Sequence, residues 1–131
     1  MQTVLLLMQR KPVAQSLMRK MHGTAGIGMI HEIDYAKAVT CILPNTVGVA
    51  LVEISESGRP DVDCCLALCA RLRSMAPGCK LLLMCPEHDR AAVMAIITAR
   101  LDGSVDDFLF CNATIDFIEA KIMSFLSTRY C

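Results

Sequence analysis

Short apolar runs alternate with amphipathic segments along the whole chain, and this alternation restricts the fold more than any other feature. Five runs have the length and composition of strands: 3–8 (TVLLLM), 27–33 (IGMIHEI), 47–54 (VGVALVEI), 80–85 (KLLLMC) and 105–111 (VDDFLFC). Helical patterns lie between and after them. The first starts at Pro12, whose fixed φ suits an opening turn, and sets Val13, Leu17 and Met21 on one face. The second runs from a capping Asp34 to about Leu43 and is ended by Pro44 and Asn45. Asp61 caps the third, which buries Cys65, Leu68, Cys69, Leu72 and Met75 and stops at Pro77 and Gly78. The fourth covers 88–101, before Gly103, and the last covers 114–126. Strands that are apolar on both faces must be covered on both. The pattern therefore predicts an α/β chain, a three-layer doubly wound parallel sheet of five strands with helices on each side. Right-handed crossovers leave few windings, of which the order 2-1-3-4-5 is the common one at this size.

At 131 residues and 54% hydrophobic composition the chain can bury one core but not two, so 1–131 reads as a single domain. Thirteen basic and thirteen acidic residues cancel, which removes the charge excess that draws proteins to nucleic acid or anionic membranes. Neither is expected as a direct partner. No apolar run is long enough to span a bilayer, and the N-terminal charges follow the hydrophobic stretch, the reverse of a signal peptide. The eight cysteines (41, 64, 65, 69, 79, 85, 111 and 131) sit mostly inside apolar segments, without zinc-type pairs or a Cys-x-x-Cys motif. They read as reduced, buried small hydrophobes in a cytoplasmic protein. His22, His31 and His88 are scattered, so neither a metal set nor a cofactor is implied.

In a sheet of this kind the working site lies at the carboxyl ends of the strands. Those ends are Met8-Gln9-Arg10, Glu53, Met84-Cys85 and Phe110-Cys111. At this point the layout resembles a response-regulator receiver domain across essentially the whole chain. The resemblance implies a flavodoxin-like (CheY-like) fold, and signal transduction through a protein partner or a fused output domain. Receivers carry an acidic pair after the first strand to hold Mg²⁺, where this chain has Met8 and Gln9. Their phosphate-accepting Asp ends the third strand, where Glu53 stands. A Thr or Ser follows their fourth strand and a Lys their fifth; Cys85 and Cys111 occupy those places, and Phe108 matches the switch aromatic. The resemblance is thus to a degenerate receiver.

Elementary chemistry agrees. Phosphoryl transfer needs positioning and a cation to neutralise the equatorial oxygens. A thioether and a neutral amide are poor ligands for a hard cation, Cys111 brings no charge, and a thiol is a weak donor in place of a hydroxyl. The residues read as a non-enzymatic, phosphorylation-independent site. Two readings of Glu53 stay open: a strand-end acid paired with Arg10 or Lys11, or a fixed negative charge standing in for a phosphorylated Asp. The runner-up function is a small-ligand-binding flavodoxin-like domain using the pocket around Gln9, Glu53, Cys85 and Cys111. Against it, "MQRKPVA" has none of the Ser, Thr and Gly residues that wrap a flavin phosphate, and no glycine fingerprint follows the first strand. A disulfide switch between Cys85 and Cys111 ranks below two buried thiols.

The fourth helix has almost no polar face between Arg90 and Arg100. One account makes only Val93, Ile96, Ile97 and Leu101 core. The other makes this helix, the fifth strand and the last helix a protein interface edged by Arg90, Met94, Arg100, Asp106 and Lys121. Receivers commonly dimerise through that face, so the resemblance implies a homodimer. The sequence ends soon after the last helix, as a stand-alone module or a fragment of a longer regulator would.

Overall fold

The computed structural model describes residues 2–24, 26–44, 46–56 and 60–127. Asn45, part of the loop before Asp61, and Cys131 lie outside them. The strands are β1 (Gln2–Leu7), β2 (Ile27–Glu32), β3 (Val47–Glu53), β4 (Lys80–Cys85) and β5 (Asp107–Phe110). They form one parallel sheet in the order β2-β1-β3-β4-β5, the doubly wound arrangement that the alternation predicts. The helices are α1 (Lys11–Met21), α2 (Ala38–Ile42), α3 (Val62–Met75), α4 (Arg90–Leu101) and α5 (Ile115–Ser127).

Two core layers sandwich the sheet. Leu5, Leu7, Ala50, Val52, Leu81 and Leu83 pack against α2, α3 and α4, whereas Val4, Leu6, Leu51, Leu82 and Met84 pack against α1 and α5. Alternate residues of one strand feed opposite layers, which is why residues 4–7 of β1 and 47–52 of β3 are apolar on both faces.

Several expected boundaries move, each for a local reason. Asp34 does cap, accepting the Ala36 N–H at 3.0 Å, but it opens only a 3-10 turn over Tyr35–Lys37. The following helix has five residues, AVTCI, whose β-branched Val, Thr and Ile lose rotamer freedom in a helix. On α1 the buried row is Ala14, Leu17 and Met21, with Val13 half-exposed. Met75, expected in the core, is 39% exposed on the last turn of α3. His88 precedes α4, whose cap is Asp89 through the Ala92 N–H at 3.1 Å. The buried row of α4 is Ala92, Ile96 and Ala99, and Leu101 is 79% exposed. β5 is shorter than 105–111. Gly103, at φ 84°, closes α4 with Gly103 N–H to Arg100 carbonyl at 3.2 Å and Ser104 N–H to Ala99 carbonyl at 2.9 Å. That reversal, together with Val105 N–H on the same Ala99 carbonyl, uses residues 103–105 to end the helix.

Candidate functional site

Glu53 is the last residue of β3, paired in register with Met84 of β4, and is only 2% exposed. The β1–α1 loop curls over it. Its Oε1 accepts the backbone N–H of Gln9 at 2.9 Å and of Arg10 at 3.3 Å, and its Oε2 accepts the Arg10 Nε–H in an ion pair. Arg10 then reaches on, its Nη2 donating to the Cys111 carbonyl at 3.2 Å. The partner of Glu53 is therefore Arg10, while exposed Lys11 pairs with no acid among the described residues. Both oxygens of the carboxylate are occupied.

The other strand ends turn away from this centre. Met8 is fully buried in the α1/α5 layer, and its carbonyl accepts from His31 Nε2 at 3.0 Å. Gln9 sends its side-chain amide to the Ile33 carbonyl at 2.8 Å. Cys85 belongs to the α3/α4 layer and Cys111 to the α1/α5 layer; both are free thiols on opposite faces of the sheet, joined only by Cys111 N–H to Cys85 carbonyl at 2.9 Å. A residue that the motif reading passed over completes the site. Tyr35 donates its hydroxyl to the Glu53 carbonyl at 2.5 Å, drawing the β2–α2 turn across the end of β3. Only the aromatic in the "DYAK" turn signals it in the sequence, and an aromatic there has no distinctive spacing.

The charges follow from this packing. Burial pulls the Arg10 guanidinium down, but the hydrogen bond and charge of Glu53 outweigh it, so its pKa rises above the ordinary guanidinium value. Burial pushes the Cys111 thiol up to about 12, with Arg10 pulling down and Glu53 pushing up. Burial, then Asp89 and Glu87, carries Cys85 to about 11. Burial also raises Tyr35. Neither thiol is a nucleophile near neutrality.

The Mg²⁺ that the layout implies does not fit these residues. Met8 is core, the Gln9 amide is spent on Ile33, and a guanidinium already lies on the carboxylate. Among the described residues no group of three or more His, Cys, Asp or Glu side chains could hold a metal ion. The cleft at Glu53, lined by Gln9, Arg10, Ile54, Ser55 and Glu56, measures ≈ 170 Å³. Pockets for drug-sized ligands run from about 300 Å³ upward.

On the α4–β5–α5 side, Phe108 is half-buried and meets Phe110 edge-on with ring centres 5.8 Å apart. Arg90 and Met94 project from α4, Met94 with 63% of its surface exposed. Arg100 and Lys121 converge on Asp107, at 3.1 and 2.9 Å, whereas Asp106 faces Arg73 at 2.9 Å and the Leu81 N–H at 2.8 Å. Asp107 is the residue that the sequence did not single out. Nothing in "VDDF" says which of two adjacent acids faces α5.

An open five-stranded parallel sheet in this order, with an acid closing its third strand, has the architecture of response-regulator receiver domains. Solved structures agree. A response regulator from Thermotoga maritima superposes with a TM-score of 0.75 over 95% of this chain and 97% of its own, at 15% identity. A two-component response regulator from Clostridium difficile gives 0.74 over 97% of each chain, at 21% identity. A chain from Rhodopirellula baltica named as an adenylate cyclase gives 0.78 over 95% of this chain and 87% of its own, at 17% identity. No protein-family model and no curated protein matches the chain. At these identities the likeness is one of fold.

Proposed function

We propose that this chain is a receiver-like signalling module that works by protein contact, without catalysis and without phosphorylation. The observation that carries this reading is the occupied carboxylate. An incoming phosphoryl group needs a free oxygen on Glu53 and a cation beside it, and both oxygens already hold the β1–α1 loop. Its partners are a second copy of the chain, another protein or a fused output domain. Nucleic acid and membrane are not direct partners, and the setting is cytoplasmic. Among the described residues no helix is long and apolar enough to cross a membrane.

The surface for contact is α4–β5–α5. It carries four of the seven exposed large hydrophobic residues among those described, Met94, Leu101, Phe110 and Phe117. Intact mass after incubation with a small-molecule phosphodonor and Mg²⁺ tests the chemistry: no adduct is expected, and a stable one would overturn the reading. Sedimentation at high micromolar concentration tests the contact. A dimer is expected, and a monomer that recovers no partner counts against it.

A further inference from the structure

Arg10 makes contacts that no other side chain of the site makes. Its Nε holds the carboxylate at the end of β3, and its Nη2 holds the carbonyl of the residue after β5. One guanidinium from the loop after β1 thus joins three strand ends. Cys111 is covalently next to Phe110, and Phe110 shares with Phe117 a groove of ≈ 450 Å³ at the β5–α5 junction. The turn between them is short and closed, with Ala113 N–H on the Phe110 carbonyl at 3.0 Å and Phe117 N–H on Thr114 Oγ1 at 3.1 Å. Cys111 therefore lies on the short turn that links both rings. The side chain of Arg10 is 39% exposed and that of Glu53 only 3%, so the cation can be removed while the buried anion stays behind.

Resting on the reading of the chain as a contact module, we propose that the cleft is a cation site filled from within. Arg10 is its resident cation, ties Glu53 to the Cys111 carbonyl, and so sets the shape of the Phe110–Phe117 groove. Truncation of Arg10 opens the site to a small planar cation able to donate to the same two oxygens, for which guanidinium is the matching chemistry.

The test compares the wild-type 131-residue chain with Arg10→Ala, Arg10→Lys and Arg10→Gln by backbone amide NMR and thermal melting. Arg10→Ala is expected to shift the signals of residues 110–117 as well as those around Glu53. Low-millimolar guanidinium chloride should return them toward wild type and raise Tm by about 5 °C at about ten times its Kd. Sodium chloride at equal ionic strength should do neither. Arg10→Lys keeps the charge as a point on a flexible stem, so it should retain the shifts near Glu53 and lose those at 110–117. If Arg10→Ala does not fold, the Lys and Gln variants decide: movement of the 110–117 signals supports the link, and their silence overturns it. Perturbation confined to the surroundings of Glu53, or guanidinium doing no more than sodium, also overturns it. These readouts need no partner and no dimer. A phosphoryl adduct, or a monomer without partners, would instead defeat the contact-module reading alone.

Discussion

Two carboxylates in this molecule each accept three hydrogen bonds, Glu53 at the end of β3 and Asp107 at the start of β5. Glu53 takes two backbone N–H groups and one guanidinium, all from the same loop, behind a surface that leaves its side chain 3% exposed. Asp107 takes Arg100 from α4, Lys121 from α5 and the N–H of Phe108, with its side chain 17% exposed. The count of bonds is equal, but access to water is not. Where a group left unpaired stays buried, its partner is indispensable; where water can replace the partner, the pair contributes little.

The sharpest way to break this contrast is Arg10→Ala. It leaves the Glu53 carboxylate buried without its counter-ion, and a loss of about 3 kcal/mol, or about 10 °C in Tm, is expected in urea and thermal unfolding. The reverse change, Glu53→Gln, keeps an oxygen for the loop N–H groups and frees Arg10 toward solvent. A loss of about 1–2 kcal/mol is expected from the same curves, and an equal cost for the two variants would erase the asymmetry. Tyr35→Phe removes one neutral hydrogen bond to the Glu53 carbonyl; about 1 kcal/mol and faster amide exchange in the 3-10 turn should follow.

Asp107→Asn is the mildest, at about 0.5–1 kcal/mol, shrinking as salt is added. Its pH dependence has a definite sign. Partial burial raises the Asp107 carboxyl, but the Lys121 hydrogen bond, the Phe108 N–H and the charges of Lys121 and Arg100 outweigh it and hold the pKa below 3.8. The folded state therefore binds the proton less readily than the unfolded chain. The stabilisation is complete well above 3.8 and disappears as pH falls through the folded value, so the wild-type and Asp107→Asn curves should converge in acid. Denaturation midpoints from neutral pH into acid would show it.

A parallel sheet covered on both sides was legible because β1 and β3 carry apolar residues on both faces, and the strand order followed the common winding of such folds. The position of Glu53 was legible from spacing alone. Its environment was not, because three of the bonds that define it involve backbone atoms: the N–H groups of Gln9 and Arg10, and the Glu53 carbonyl under Tyr35. Such contacts leave no residue-type signature. That Arg100 and Lys121 meet on Asp107, with Asp106 turned to Arg73, was not legible for a related reason. Which acid points toward α5 depends on where pairing with β4 begins, and the Gly103 reversal sets that start.

β5 is the outer strand of the sheet, and its sequence is Asp-Phe-Leu-Phe. An aromatic edge of this kind is a template on which another chain can add a strand and grow an insoluble deposit. Asp107 meets that hazard at its origin, taking the Phe108 N–H for itself at 2.8 Å and fixing a charge where a neighbouring backbone would have to dock. The same acid that contributes little to holding the fold together thus occupies a backbone donor on the outer strand of the sheet.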